Sequence, residues 1–186
     1  MKRALDLFLC LCAASLLVPV CVLIAAAVRL TSKGPVLYWS DRVGRNNQLF
    51  KMPKFRSMKS HTPALATHLL TRPEQYLTPI GGLLRKTSLD ELPQLWSIIK
   101  GDMSLVGPRP ALFNQTDLIA LRTAAGVHAL TPGLTGWAQI NGRDELPIPE
   151  KVALDVQYQQ RQSLLFDLKI IAFTAVKVFR QDGIVH

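Results

Sequence analysis

The chain's 186 residues carry 22 lysines and arginines against 13 acids, a net charge of +9, with 7% aromatic residues. This length suits one domain rather than two, and the charge asks for an anionic partner: nucleic acid, a lipid surface or a phosphorylated substrate. With few aromatic rings and no basic run interleaved with them, nucleic acid is the weakest of the three.

The positive charge is uneven. Residues 29–100 hold 12 basic and 4 acidic side chains, whereas residues 101–186 hold 8 of each. The three cysteines, Cys10, Cys12 and Cys21, fall inside one apolar run and read as small apolar fillers rather than a disulfide framework. His61, His68, His128 and His186 are scattered, without metal-ligand spacing.

The first element is the uncharged run from Leu7 to Val28, preceded by Lys2 and Arg3 and followed by Arg29 and Lys33. Three readings compete: a signal peptide removed after the alanines at 25–27, a full membrane span, and a re-entrant helix. The run is long for a signal peptide, and basic residues flank both ends, whereas positive charge prefers the cytoplasmic side. Pro19, near the middle, removes a helical hydrogen bond and favours a kink or break. Re-entry at Pro19, with both ends on the cytoplasmic face, is the expectation.

Beyond it, "VLYWS" and "QLFKMPKFRSM" read as short strands, the second an edge strand because of Pro53. "RVGRNNQ" is a turn, and residues 60–82 form an irregular connection. Ser88 to about Lys100 reads as a helix, as does Asn114–Gly126. Thr131–Arg143 reads as a glycine-rich loop, and Pro149 to about Arg180 as largely helical. The last helix, apolar with Asp167, Lys169, Lys177 and Arg180 interspersed, suits a core position and a membrane interface about equally.

"RKTSLDELPQLWSIIKGDMSLVGPRP", residues 85–110, carries the chemistry. Ser88-x-x-Glu91 fits a capping box, and on that evidence alone structure outweighs catalysis. Pro93, however, keeps Asp90 near a helix start, where Arg85 and Lys86 favour its ionised form. Pro108 and Pro110 make a rigid turn that aims Arg109, and "KFRSM" adds Lys54 and Arg56. Anion clamps beside an acidic pair are the set that metal-assisted phosphoryl chemistry needs. No Walker loop or G-x-G-x-x-G motif is present.

In this order, "KFRSM", "RKTSLDELPQLWSIIKGDMSLVGPRP" and "PGLTGWAQINGR" resemble the bacterial sugar transferases, monotopic phosphoglycosyl transferases that initiate glycan assembly on a polyprenyl phosphate. The resemblance covers nearly the whole chain. It implies an α+β, mainly helical protein: a re-entrant membrane helix at residues 1–30 and a cytoplasmic, membrane-associated catalytic domain at 31–186, with interfacial amphipathic helices and a short β element. It places the protein on the cytoplasmic face of the bacterial inner membrane.

The resemblance implies transfer of a phosphosugar from a UDP-sugar to undecaprenyl phosphate, with release of UMP. Asp90 would be the nucleophile and a Mg²⁺ ligand, and Glu91 its partner in the dyad. Arg85, Pro108 and Arg109 would form the phosphate site, with Lys54, Arg56 and Arg143 lining the pocket. The short form is similar to the initiating enzyme of bacterial N-glycan assembly, which implies an N-acetylated amino sugar. Two departures are that Val18, rather than the family's frequent serine, precedes Pro19, and that Met52-Pro53 leads into "KFRSM" in place of the usual extended lead-in, which bears on the position of Lys54. A catalytically silent membrane scaffold and a secreted basic protein, its first 27 residues removed, are the alternatives.

Overall fold

The computed structural model describes residues 1–63, 71–142 and 146–180, with side chains through Lys177. Helix α1 (Lys2–Thr31) is made of residues that favour helix and carry little polarity, and it runs through Pro19 as one element. It is long and apolar enough to cross a membrane, and only 11% of its most apolar window is buried against the rest of the protein.

Strands β1 (Leu37–Val43) and β2 (Leu49–Phe55) form an antiparallel hairpin, Leu37 opposite Phe55 and Val43 opposite Leu49. The turn between them uses Asn46 and Asn47, both at positive φ, which asparagine tolerates better than most residues. After α2 (Gly81–Lys86) come a 3₁₀ segment (Leu89–Gln94) and α3 (Leu95–Lys100), so the helix expected from Ser88 to Lys100 is two differently wound pieces. Strand β3 (Ser104–Val106) leads to the proline turn and β4 (Ala111–Leu112), which pairs with β1. The sheet order is β2-β1-β4, leaving β2 and its Pro53 at an edge as the sequence predicts.

Helix α4 (Thr116–Ala124) precedes β5 (Gly133–Thr135), α5 (Trp137–Ile140), α6 (Ile148–Arg161) and α7 (Leu164–Arg180). The glycine-rich segment is therefore not a plain loop: β5 pairs in parallel with β3, Val106 opposite Thr135. The glycines permit this approach. A Cβ on Gly133 would lie 2.0 Å from the backbone nitrogen of Gly107, and one on Gly107 would lie 2.4 Å from the Thr131 carbonyl. Two motifs far apart in sequence are thus locked backbone to backbone.

Helix α1 contributes to two core clusters. Cys10 packs with Met52, Ile98 and Met103, and Ile24 and Val28 pack with Phe55 and Leu84. Polar ties reinforce both ends. Buried Asp6 accepts from Ser104 Oγ at 2.7 Å and from the Leu105 N–H, Lys2 pairs with Asp167 at 2.6 Å, and Arg3 donates to the Ile98 and Ile99 carbonyls that end α3. At the far end Arg56 donates to the Ser32 and Lys33 carbonyls and to Ser32 Oγ. Removal of the first 27 residues would strip Asp167, Ser104 and the carbonyls that end α3 of their partners, which counts against the secreted reading. The Arg56 contacts with Ser32 and Lys33 would remain.

Helix α7 divides its faces. Asp167 and Ile170 are buried, while Leu165, Leu168, Phe173 and Val176 are exposed beside Lys169. It is both a core helix and an apolar outer surface.

Candidate active site

The site forms where the edge strand meets the 3₁₀ segment. Residue 88 turns the chain out of α2: Ser88 adopts the left-handed conformation (φ 56°), and the Glu91 N–H bonds to its carbonyl. An N-cap residue needs extended backbone, and no side-chain cap bond forms here. The capping box that the spacing allows is absent, and the Glu91 side chain is engaged elsewhere.

Glu91 Oε1 accepts from Lys54 Nζ at 2.7 Å and from Arg109 Nη2 at 2.9 Å. One carboxylate oxygen thus joins a strand, the 3₁₀ segment and the proline turn. The side chains of Lys54 and Glu91 are 16% and 19% exposed, and that of Arg109 is 35% exposed. Burial pushes the Glu91 carboxyl up, but the Arg109 and Lys54 charges and hydrogen bonds overcome it and hold Glu91 well below the usual carboxylate range.

Asp90 is different. It is 6% exposed, and burial raises its pKa more than Lys54, Arg85 and Arg109 lower it, with the Glu91 charge adding to the rise. Adjacent carboxylates are thereby driven in opposite directions, the pattern that separates roles in acid–base and nucleophilic sites. Arg85, in the last turn of α2, also contacts Met58 Sδ at 3.7 Å.

The proline turn is held at three consecutive carbonyls. Pro108 O accepts from the Gly133 N–H (2.9 Å), Arg109 O from Arg122 Nη1 (2.7 Å) and Pro110 O from Arg42 Nη1 (3.1 Å). Arg122 is fixed in turn by Asp155 Oδ2, which accepts from its Nε at 2.9 Å and its Nη2 at 2.7 Å. Burial raises the Asp155 pKa against the opposing pull of Arg122.

The structure therefore gathers Lys54, Arg85, Asp90, Glu91, Pro108 and Arg109. Arg56 is not among them: it is buried against the C-terminal end of α1. Arg143 lies outside the described residues. Sequence reasoning missed Arg42 and the Arg122–Asp155 pair. The signal was available: Arg122 lies one turn after buried Leu118, and Asp155 lies between buried Val152 and Tyr158, opposite charges on the apolar faces of two helices.

A groove of about 450 Å³ lined by Trp39, Lys51, Trp96, Lys100 and Asp102 shares none of these residues. Its lysines are paired with Asp41 and Asp102, which leaves it a poor anion site. The acidic pair and its cations remain the stronger candidate.

Among the described residues no group of three or more His, Cys, Asp or Glu side chains could hold a metal by itself. That composition still fits Mg²⁺, which commonly takes one or two carboxylates and completes its shell with substrate phosphates and water. Asp90 is the carboxylate to offer, since one oxygen of Glu91 already serves two cations.

Comparison with known proteins identifies the family. The bacterial sugar transferase family profile matches residues 1–181. An uncharacterized sugar transferase, EpsL, of Bacillus subtilis (strain 168) is 40% identical over 187 residues, 99% of this chain and 90% of the relative. Exopolysaccharide production protein ExoY of Rhizobium meliloti (strain 1021) is 40% identical over 98% of this chain and 87% of its own length. The UDP-glucose:undecaprenyl-phosphate glucose-1-phosphate transferase of Escherichia coli (strain K12) is 40% identical over 96% of this chain, which spans 40% of that longer protein. The match over nearly every residue, from α1 to α7, makes this chain a member of the bacterial sugar transferase family.

Proposed function

We propose that this protein transfers a sugar 1-phosphate from a UDP-sugar to undecaprenyl phosphate, releasing UMP, through a covalent phosphosugar-aspartate on Asp90. The observation that carries the reading is a buried carboxylate among Lys54, Arg85 and Arg109, flanked by a second carboxylate that bridges two of those cations. A silent scaffold has no use for this expensive arrangement.

In the first half-reaction an Asp90 oxygen attacks the β-phosphorus. The bond from that phosphorus to the α,β-bridging oxygen breaks, and UMP leaves with the electron pair. In the second, an oxygen of the lipid phosphate attacks the same phosphorus and the acyl phosphate bond breaks, restoring the Asp90 carboxylate. Arg109 and Lys54 offer donors to diphosphate oxygens, and Arg85 adds positive charge beside Asp90. Glu91 is best cast as the orienting group, holding Lys54 and Arg109 while retaining its own charge. Mg²⁺, held by Asp90 and the diphosphate, would neutralise charge developing on the phosphoryl oxygens.

The relatives' names favour glucose or galactose as the sugar: one E. coli protein is named for UDP-glucose, and a Salmonella typhimurium relative is an undecaprenyl-phosphate galactose phosphotransferase. The N-acetylated amino sugar expected from the short chain gains no such support. For topology, the contacts of both ends of α1 with one body, Asp6 and Cys10 at one end and Ile24 and Val28 at the other, support both ends lying on one side of the membrane, although the helix is continuous at Pro19, where the sequence predicts a break. The basic residues at both ends favour the cytoplasmic side.

The test is a UMP-release screen over UDP-glucose, UDP-galactose and UDP-N-acetylhexosamines with Mg²⁺, with and without undecaprenyl phosphate. Without the lipid, UMP should rise to about one equivalent and stop, and the peptide holding Asp90 should gain the mass of a phosphosugar. Activity only in the complete mixture, with neither UMP nor adduct in the absence of lipid, would favour direct attack by the lipid phosphate.

A further inference from the structure

The cation that meets Glu91 is itself held from behind by a buried ion pair outside the acidic site. Arg122 and Asp155 have side chains 9% and 2% exposed. Asp155 Oδ2 takes both Nε and Nη2 of Arg122, leaving Nη1 aimed at the Arg109 carbonyl at 2.7 Å. Desolvating two charges is costly, and an apolar pair of similar volume often serves stability as well or better. The polar task left to Arg122 is the carbonyl it holds.

That carbonyl is well chosen. Pro110 disfavours helical backbone at Arg109, the residue before it, and Pro108 fixes its own φ one residue earlier, so the turn is stiffened before any contact is made. A hydrogen bond to Arg109 O fixes the peptide plane next to its Cα, and hence the direction in which its side chain leaves the turn. Arg122 comes from α4 and Asp155 from α6, so two helices outside the acidic site set the aim of a phosphate-binding side chain.

We propose that the Arg122–Asp155 pair is a positioning device for Arg109, required for turnover rather than for folding. The proposal rests on the transferase reading above, and its test separates the two. The double variant Arg122→Met with Asp155→Leu removes both charges together and leaves neither unpaired. It should stay folded, with a melting temperature close to wild type. Its kcat for UMP release should fall roughly tenfold to a hundredfold, as expected when a charged clamp moves by a fraction of an ångström to an ångström. An arginine-specific dicarbonyl, followed by peptide mass, should modify Arg109 faster than in the wild type.

Arg122→Lys keeps a charge for Asp155 but has one nitrogen in place of three, so it should melt like wild type and turn over at an intermediate rate. Folded double variant with kcat within twofold of wild type and unchanged Arg109 modification would overturn the proposal. If the double variant does not fold, full activity in Arg122→Lys overturns it and reduced activity at an unchanged melting temperature supports it. Wild-type protein that releases no UMP from any UDP-sugar would defeat the transferase reading instead. The rate of Arg109 modification would then decide the positioning role by itself.

Discussion

Replacing Asp90 with asparagine should silence the protein and stabilise it at once. The side chain is 6% exposed, and burial outweighs the attraction of Lys54, Arg85 and Arg109, so its pKa in the folded state lies above the ordinary value. A group whose pKa rises on folding favours the fold only while protonated. That contribution is complete below the unfolded value near 3.8 and is lost as pH rises through the folded one. At neutral pH the wild type therefore carries an ionised Asp90 at a cost of about 1.4 kcal/mol per unit of upward displacement. The amide has no charge to desolvate, although it withdraws a counter-charge from three cations. The net gain expected is on the order of 1 kcal/mol, or about 2–4 °C in melting temperature for a chain of this size. Thermal denaturation of both proteins in one detergent at pH 7 and below pH 3.8, together with UMP release, measures it. The advantage of Asp90→Asn should be present at pH 7 and vanish in acid, with turnover abolished. A loss of 1–2 kcal/mol at pH 7 with turnover retained, the signature of a helix-capping acid, would refute the reasoning.

Glu91→Gln should move stability the other way. With its pKa held below the ordinary 4.5, Glu91 contributes stability that is present above that value and lost as pH falls through the folded pKa, so the variant should be weaker by about 1–3 kcal/mol at pH 7 and the gap should close in acid. Its turnover should be severely reduced, and equal melting curves at pH 7 would contradict the bridging role. Ser88→Gly should stabilise by about 1 kcal/mol by relieving a left-handed serine, whereas Ser88→Val should destabilise, both read by thermal denaturation. Cysteines placed near residues 2 and 33 should react alike with an impermeant thiol reagent in inside-out vesicles if α1 re-enters, and oppositely if it spans.

Much of the site was readable because charge clustered around an acidic pair, and the turn chemistry of Pro108 and Pro110 already aimed Arg109. Arg56 shows where local reading fails. Two residues after Lys54, it would share a strand face, since side chains alternate along a strand. But β2 ends at Phe55, the alternation ends with it, and Arg56 turns back to the carbonyls at the end of α1. Ser88 fails for a similar reason: Ser-x-x-Glu fits a capping box, but the backbone turns left-handed there, and Lys54 and Arg109 take the glutamate. The β3–β5 pair escaped notice because three-residue strands carry no usable periodicity, and its signal was the steric need for glycine at 107 and 133. Contacts spanning tens of residues decided each case.

The stitching of α1 to the rest of the protein has a practical and a physical consequence. Deleting the first thirty residues would not yield a tidy soluble catalytic fragment. It would expose Met52, Ile98 and Met103 on one side and Phe55 and Leu84 on the other, and strip Asp167 and Ser104 of charged partners. On the proposed reading, the same contacts make the apolar helix a fixed mount rather than a tether. A tethered enzyme can rock and bob above a bilayer, whereas this one meets it at a set tilt and depth. The height at which a lipid phosphate must stand to reach Asp90 is then a dimension of the protein, dictated by where Cys10 and Val28 are bolted to their neighbours.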